Sequence, residues 1–390
     1  MQLAGLFMLF PFRGVPWPLV DQQQLTELES LTGLGIGEAA QAACRFLIHL
    51  LKNNPHTIPS EPMYIQLNAL RFHARHGVLP QERTVGGDFR VDLSLQIADR
   101  QAHGALCHDQ LEATVNYADV YEKVWQEMDC PSALIEHVAG RIARSLLRSF
   151  PALRQVEVRV AKVSPPIPGF VGESAAVEYS LRRSLVVWDF DGTLADTSAG
   201  IVRTMQATFA RHGWAVPQEA DIRQTIGLPL QASMLQLGVA EGEAVRQAVA
   251  TYQQLFEELG VVRVGLFPGI AEVLQRQHEA GRLIAIATSR GHRSVVALCE
   301  QLGIRPYFDY IVACEDVQAH KPDPAPVFRL QHMADVDAAD VTVIGDTSFD
   351  MQMGRNAHVG RCIGVAWGNH SAAQLREAGA DFVACSPTEL

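Results

Sequence analysis

The chain has 390 residues, of which 48% are hydrophobic and 19% charged, and its formal net charge is −11. This composition predicts two or three folded domains and excludes a chain that is disordered throughout. The acidic balance lacks a basic footprint, so we expect no nucleic-acid partner. No segment has the uninterrupted apolar length of a membrane span, so we expect no membrane partner. The seven cysteines are scattered and odd in number, without a Cys-x-x-Cys pair, which predicts reduced thiols and a cytoplasmic protein.

Residues 1–62 form a leader with the weakest pattern in the chain. Its first residues are apolar, but no basic residue precedes them and prolines follow at once, so a signal peptide is poorly formed. The spacing is compatible with a helix over residues 39–51, and residues 53–62 are typical of a linker. Two interpretations stay open. The leader is an upstream extension that is not native, with Met63 as the natural start, or it is a small accessory helix that packs on one domain.

A well-patterned domain follows over residues 63–183. Apolar and polar residues alternate from Phe89 to Ile97, which predicts a half-buried strand. Helical spacing and then renewed alternation predict two helices and two further strands. These helices and strands are predicted, in chain order, at residues 117–128, 134–147, 156–160 and 176–181. The predicted order of the domain is strand, strand, helix, helix, strand, strand.

Four local strings of this domain resemble dihydroneopterin aldolase, an enzyme of folate synthesis. The strings are FHARHGVLPQER (72–83), TVNYADVYE (114–122), LIEHVAGRIA (134–143) and VRVAKVSPPIPG (158–169). The resemblance implies the α+β tunnelling fold, with the order ββααββ. It also implies a homo-oligomer formed through this domain, because the family joins its sheets into rings with active sites between subunits.

The resemblance also implies a retro-aldol reaction and its residues. Dihydroneopterin would be cleaved to 6-hydroxymethyl-7,8-dihydropterin and glycolaldehyde, with the pterin ring as electron sink and no metal or other cofactor. Glu136 would anchor the amino-pyrimidine edge of the pterin, helped by the backbone around Ile135, because a carboxylate accepts two parallel hydrogen bonds. Glu82 would bind the substrate's side-chain hydroxyls. Lys162 would act as general acid/base, and Tyr117 would relay a proton.

Each of these residues also has an ordinary interpretation when taken alone. Glu136 is typical of a solvated helix face, Tyr117 of an amphipathic core and Glu82 of a loop. Lys162 has the strand parity of the apolar Val160, and an inward lysine needs a partner or a task, which favours function. A metal site is a less favoured alternative, since the His-Gly pair at 76–77 fits the aldolase turn. Its ligands would be His73, His76 and His137.

The most informative stretch of the remaining chain, residues 184–390, is LVVWDFDGTLADT at 185–197. Four apolar residues predict a strand buried on both faces of a parallel sheet. Asp189 and Asp191 follow where that strand ends, which is where open α/β sheets bind ligands. Two close carboxylates raise each other's pKa unless a cation lies between them. The pattern therefore indicates Mg²⁺ and a phosphate.

Three later segments complete a resemblance to the phosphatases of the haloacid dehalogenase superfamily. They are LIAIATSR (283–290), HKPDP (320–324) and VTVIGDTSFDM (341–351). Any one of them alone is more often a turn or a helix cap, but four in order are specific. The resemblance implies an α/β Rossmann-like domain with a small helical cap over about residues 198–267, similar to that of phosphoglycolate phosphatases. One departure is Trp188, which is bulkier than the usual residue before the nucleophile.

The same resemblance assigns roles to the polar residues of the motifs. Asp189 would attack phosphorus, and Asp191 would protonate the leaving alcohol and then activate water. Thr288, Ser289 and Lys321 would bind the phosphate. Mg²⁺ would be held by Asp189, the backbone carbonyl of Asp191, Asp346 and, nearby, Asp350.

The two resemblances together predict one bifunctional enzyme of folate synthesis, with pterin and phosphoester substrates. A phosphatase joined to the aldolase would supply its substrate by hydrolysing dihydroneopterin monophosphate, although fold alone fixes no substrate. The alternatives are phosphoglycolate or another small phosphoester, or a housekeeping phosphatase whose fusion is incidental. Two alternatives belong to another class of function. In the first, the phosphatase half is a non-catalytic scaffold, and its complete set of acids argues against this. In the second, the aldolase half is the one without activity.

Overall fold

The computed structural model describes residues 62–98, 114–256, 258 and 264–390. The helix predicted over residues 39–51 lies outside the described residues, as does nearly all of the predicted linker. The first described domain contains a four-stranded antiparallel sheet in the order β1-β2-β3-β4. Its strands are β1 (Tyr64–Ala74), β2 (Gly87–Ile97), β3 (Leu153–Val163) and β4 (Ser174–Arg182).

Two long helices cover one face of this sheet. They are α2 (Tyr117–Asp129) and α3 (Ile135–Ser149), and the apolar side of each joins the core of the sheet. The predicted alternation in β2 is confirmed, because Phe89, Val91, Leu93, Leu95 and Ile97 are all buried. The predicted ββααββ order is therefore present in the structure.

Two local details differ from the prediction. A short helix, α1 (Pro80–Thr84), lies between β1 and β2, where no helix was predicted. Five residues are too few to show a helical period in sequence, although proline suits the first position of a helix. The helix predicted from residue 134 begins one residue later, at Ile135.

The second domain contains a six-stranded sheet in the order β12-β11-β10-β5-β8-β9, and all of its pairings are parallel. The chain leaves β5 towards β8 first and returns later to β10, on the other side of β5. The carboxyl end of β5 is therefore a topological switch point, where such sheets bind ligands. The strands are β5 (Leu185–Trp188), β8 (Leu283–Ala287), β9 (Tyr310–Val312), β10 (Val341–Gly345), β11 (Arg361–Val365) and β12 (Phe382–Ala384).

Helices cover both faces of this sheet, and two separate clusters of buried residues form its core. These helices are α8 (Ile270–Glu279), α9 (His292–Gln301), α10 (Ala325–Ala334), α11 (Ser348–Asn356) and α12 (Ala372–Glu377). In the described parts of the chain, no helix combines the length and the apolarity needed to cross a bilayer.

A helical cap is inserted between β5 and β8 and has an apolar core of its own. A two-stranded ribbon forms its base: β6 (Ala195–Asp196) pairs with β7 (Gly265–Leu266). The cap helices are α4 (Ser198–Arg211), α5 (Glu219–Thr225), α6 (Leu230–Gln236) and α7 (Glu243–Leu255). In the described part of the range of about 198–267 expected for the cap, these helices are thus present, and Gly265–Leu266 near its end is the strand β7.

The two sheets are joined almost directly, because only two residues separate β4 from β5. One of them, Arg183, is buried and donates hydrogen bonds to three carbonyl groups of the first domain. Arg182 forms an ion pair with Asp340 of the second domain at 2.8 Å, and Arg148 bonds the carbonyl of His278. Asp340 and His278 precede β10 and β8, so the first domain contacts the amino-terminal edge of the parallel sheet.

Candidate active sites

Three aspartates converge at the carboxyl end of the parallel sheet. Asp189 follows β5 directly, Asp346 follows β10, and Asp350 lies in the first turn of α11. One carboxylate oxygen from each lies within 4.8 Å of the others, and all three residues are buried. The four apolar residues of β5 are also fully buried, and this fixes the position from which Asp189 projects. The structure therefore brings together the acids that the sequence placed in two separate motifs.

Lys321 is the cation that faces this cluster. Its ammonium lies 2.5 Å from Asp189 Oδ1 and 2.7 Å from Asp350 Oδ1, and its side chain is buried. Burial alone would lower the pKa of Lys321, but the charges of Asp189 and Asp350 outweigh it and raise that pKa. The lysine is therefore charged, and it neutralises only one of three neighbouring carboxylates.

The pKa values of Asp189 and Asp346 are both raised, as expected for buried carboxylates that lie close together. Burial raises the pKa of Asp189 well above its usual range, with Lys321 opposing the shift. Burial, together with the charge of Asp350, raises the pKa of Asp346 to about 7. Burial and mutual repulsion oppose the ionisation of these carboxylates, so a further bound cation would stabilise their charged forms.

The space around Asp346 also fits a metal ion. The backbone N–H and the side-chain amide of Asn369 donate to Asp346 Oδ2, and the Thr193 hydroxyl donates to Oδ1. Gly192 has φ +85°, and a Cβ atom there would lie 2.3 Å from Asp346 Oδ2. Among the described residues, no donor reaches the second oxygen of Asp189. The acids are thus oriented by the protein and still have oxygens available to a hard cation such as Mg²⁺.

Asp191 contributes no carboxylate to this cluster in the structure. Arg290 donates to both of its oxygens, from Nη2 at 2.5 Å and from Nε at 3.1 Å. The predicted metal ligand at this residue is the backbone carbonyl, so the ion pair does not conflict with it. Sequence reasoning missed Arg290, and the signal available was its place directly after Thr288-Ser289 at the end of β8.

Thr288 and Ser289 lie at the end of β8 but have different surroundings. Thr288 is buried, and its hydroxyl oxygen accepts from the backbone N–H of Arg290. Its own hydroxyl proton is available to a phosphate. Ser289 instead donates to the carbonyl of Gly227 in the cap at 2.6 Å. With the contact of Arg223 to Asn369 at 3.5 Å, this bond shows the cap closed over the sheet.

A second polar site lies in the first domain, where Lys162, the next-to-last residue of β3, contacts Glu82 of α1. Its ammonium contacts the carboxylate of Glu82 and bonds the carbonyl of His76 at 3.1 Å. Burial acts to raise the pKa of Glu82, but the hydrogen bonds from Lys162 and from the Leu79 backbone hold it below its usual range. Glu82 therefore forms an ion pair with Lys162, and the lysine side chain is largely buried, in agreement with the inward parity predicted for it.

The other residues predicted for this site begin helices α2 and α3 and are exposed or half-buried. Tyr117 begins α2 with 68% of its surface exposed, and Glu136 is exposed in the first turn of α3, next to the half-buried Ile135. The loop before α3 is tied to the lysine site, because the backbone N–H of Ser132 donates to the ring of His76. In the described chain, no hydrogen bond links Tyr117 or Glu136 to Lys162.

The three histidines considered as metal ligands each have other contacts. His73 bonds Asp88 at 2.8 Å, and His137 lies 3.1 Å from the hydroxyl of Ser132. His76 is buried, and burial, with the charges of Arg141 and Lys162, lowers its pKa to about 4. Its imidazole is therefore neutral and holds the loop that precedes α3.

Comparison with known proteins agrees with this division of the chain. Residues 65–180 match the family model of dihydroneopterin aldolase, and residues 186–365 match that of haloacid dehalogenase-like hydrolase. A dihydroneopterin aldolase from Staphylococcus epidermidis is 40% identical over 106 residues, which are 27% of this chain and 85% of the relative. "Probable phosphatase IndB" from Dickeya dadantii is 36% identical over 200 residues, which are 50% of this chain and 86% of the relative. The chain belongs to both families.

A solved structure agrees for the hydrolase domain. A haloacid dehalogenase-like hydrolase from Bacteroides fragilis aligns over 54% of this chain and 100% of its own, with 25% identity and a TM-score of 0.51. The chain is therefore an enzyme with a lyase domain of the aldolase family and a hydrolase domain of the phosphatase family. Both resemblances inferred from the sequence are confirmed.

Proposed function

We propose that this chain is a bifunctional enzyme of folate biosynthesis that acts twice on one pterin side chain. The phosphatase domain hydrolyses dihydroneopterin monophosphate, and the aldolase domain cleaves the dihydroneopterin released. The observation that carries the proposal is that one chain holds both a buried aspartate cluster with its lysine and a paired Lys162–Glu82 site. The proposed domain limits are 63–183 and 184–390, with the cap over about 198–267.

In the proposed phosphatase reaction, Asp189 is the nucleophile. Its free carboxylate oxygen attacks phosphorus, the bond to the leaving oxygen breaks, and an aspartyl phosphate forms. Asp191 gives a proton to the leaving alcohol and later takes one from the water that hydrolyses this intermediate. Lys321 and Thr288 hold phosphate oxygens while negative charge shifts onto them. Ser289 is the other proposed phosphate contact, and its hydroxyl would have to leave the carbonyl of Gly227 to donate to phosphate.

Mg²⁺ is the proposed cofactor of this half. Asp189, the backbone carbonyl of Asp191 and Asp346 would hold it, with Asp350 nearby, and once bound it offsets the charge of the phosphate. The buried excess of carboxylate supports this assignment, and so does the space left by Gly192. No metal or other cofactor is proposed for the aldolase half.

In the proposed aldolase reaction, Lys162 accepts, through water where needed, the proton of the substrate hydroxyl that becomes the aldehyde of glycolaldehyde as the carbon–carbon bond breaks. Glu82, already in contact with Lys162, binds the substrate's hydroxyl groups next to it. The electron pair of the broken bond passes into the pterin ring, and a proton then returns to carbon, with Tyr117 as relay. Glu136 and the backbone at Ile135 hold the amino-pyrimidine edge.

The aldolase half is proposed to act as a homo-oligomer. Three aromatic residues four positions apart, Tyr117, Tyr121 and Trp125, lie on one exposed face of α2. Strands β1 and β4 are the edges of their sheet in the described chain. Exposed aromatic surface and open edges suit contact with a second copy, which would also cover the open side of the lysine site. A molar mass in solution tests this proposal, and a strict monomer that retains aldolase activity contradicts it.

The substrate of the phosphatase half is tested by direct competition. Purified protein with Mg²⁺ is given dihydroneopterin monophosphate, phosphoglycolate or p-nitrophenyl phosphate, and phosphate release is compared through kcat/KM. A preference for the pterin ester by about tenfold or more, roughly 1.4 kcal/mol of transition-state binding, supports the proposal. A comparable preference for phosphoglycolate supports the alternative suggested by the cap.

Two substitutions test whether the sites are independent. Asp189→Asn should stop phosphate release and leave cleavage of free dihydroneopterin unchanged, and Lys162→Ala should do the reverse. Each variant is the control for the other, since both are the same folded chain. Loss of both activities from one substitution in a folded protein would contradict the two-site proposal.

A further inference from the structure

The side chain of Asp191 is held by one residue. Arg290 donates from Nη2 and Nε to its two carboxylate oxygens at 2.5 and 3.1 Å, and the pair is largely buried, with 10% and 13% of their side chains exposed. Among the described residues, no other donor reaches this carboxylate. The orientation of Asp191 therefore depends on the position of the Arg290 guanidinium.

The guanidinium is itself fixed from three sides. Its Nη1 donates to the hydroxyl of Ser294 at 3.1 Å, in the first turn of α9. Its carbon lies 4.6 Å from the centroid of the Phe256 ring and 6.0 Å from that of Phe190. Ser294 and Phe190 belong to the sheet domain, whereas Phe256 directly follows the last cap helix, α7. Arg290 thus connects the cap to the sheet domain next to Asp191.

This geometry suits a positioning role. A planar guanidinium that forms two parallel bonds fixes both the place and the rotation of a carboxylate, which a lysine cannot do. An aromatic face over the cation adds an attraction that is lost when the cap moves away. Proton transfer to a leaving group requires the acid within hydrogen-bond distance, so rotation of Asp191 would slow it.

We propose that Arg290 is a positioning residue, which holds Asp191 for proton transfer and, through Phe256, makes that position depend on closure of the cap. The proposal rests on the acid/base role given to Asp191 under the proposed function. It requires neither the pterin substrate nor the aldolase half, so it stands or falls separately from them.

The test compares leaving groups, because a merely structural residue affects all substrates alike. Single-turnover release of the leaving group is measured with p-nitrophenyl phosphate, which departs without a proton, and with an alkyl phosphate that the wild type hydrolyses. Arg290→Ala should slow release from the alkyl ester by roughly 100-fold, and that of p-nitrophenol by less than about threefold. Arg290→Lys should fall between Arg290→Ala and the wild type, and a low concentration of added guanidinium should restore part of the loss in Arg290→Ala.

The matched control is Arg293→Ala, an exposed arginine in the first turn of α9, three residues after Arg290, which should leave both rates unchanged. Equal loss on both substrates overturns the proposal, because it indicates contact with phosphate or support of the fold. No loss on either substrate overturns it as well. A wild type without Mg²⁺-dependent activity on any phosphoester would instead refute the proposed function, and it is therefore measured first.

A substitution at Phe256 tests the contribution of the cap. Phe256→Leu keeps an apolar side chain but removes the aromatic face, and should slow release from the alkyl ester by about threefold to tenfold while sparing p-nitrophenyl phosphate. Combined with Arg290→Ala, it should add little, because its effect passes through the arginine. Fully additive losses would show that Phe256 does not act on Asp191 through Arg290, and they would overturn the part of the proposal that concerns the cap.

Discussion

The aspartate cluster predicts an unusual response of stability to pH and metal, and Asp346→Asn tests it. Asp346 is fully buried, and its pKa is raised to about 7 from an ordinary 3.8. Because the folded pKa is the higher one, the folded protein keeps a proton that the unfolded chain releases. This group therefore stabilises the fold below about pH 4, and its contribution is lost as pH rises to about 7.

The magnitude follows from the shift. About three pKa units at roughly 1.4 kcal/mol each remove about 4 kcal/mol of stability from the metal-free protein by neutral pH. The neutral amide of Asp346→Asn avoids this loss but leaves one buried donor poorly paired next to Asn369, at a cost of about 1 to 2 kcal/mol. We therefore expect the metal-free variant to be more stable than the metal-free wild type at about pH 8, by roughly 2 to 3 kcal/mol.

The assay is urea unfolding of both proteins across this pH range, with and without Mg²⁺. Magnesium should stabilise the wild type by about 2.7 kcal/mol at a concentration of about 100 times its Kd, and the variant by far less. Asp381→Asn, which removes an exposed acid paired with Arg355, is the matched control and should leave the magnesium effect unchanged. A metal-free Asp346→Asn variant less stable than the wild type at about pH 8, or equal stabilisation by Mg²⁺, would refute the reasoning.

Two further substitutions give predictions from close contacts. Gly77 has φ +150°, and a Cβ atom there would lie 2.2 Å from Glu82 Oε2. We expect Gly77→Ala to displace Glu82 from Lys162 and lower aldolase kcat about tenfold or more, with phosphate release as the unchanged internal control. Lys321→Met leaves Asp189 without its buried cation, so we expect loss of phosphatase activity and, by thermal unfolding, a metal-free domain destabilised by about 3 kcal/mol, with aldolase activity retained.

Sequence patterns could predict the strands and the acids at their ends for a physical reason. A strand buried on both faces is a continuous apolar run, so the run before Asp189 indicated both the strand and its carboxyl end. The inward parity of Lys162 was readable in the same way, because side chains alternate along a strand. Trp188 stood out as bulky, and the structure places it fully buried, with its indole N–H donating to Gln277 at 3.2 Å.

The sequence did not indicate which residues on distant segments contact one another. Arg290 pairs with Asp191 across 99 positions. Its place after Thr288-Ser289 indicated the end of β8, but no local pattern indicated that Asp191 is its partner. Glu82 and Lys162 were named separately, but their direct contact depends on the short helix α1, which has too few residues for a period. Contacts of the cap with the sheet, such as Ser289 with Gly227, depend on how two separately packed bodies meet.

The order of strands also bears on how the two proposed reactions follow each other. Lys162 pairs with Ala175 near the start of β4, whereas Asp189 follows the end of β5. The two strands are consecutive, and the backbone pairing passes from Arg183 to Ser184 without a turn. The fifteen residues from Ala175 to Asp189 span up to roughly 45 Å when extended, over fourteen steps of about 3.3 Å. Within one chain, we therefore expect the two sites to be separated along this stretch, so that a dephosphorylated pterin reaches the lysine site through solvent or in another subunit.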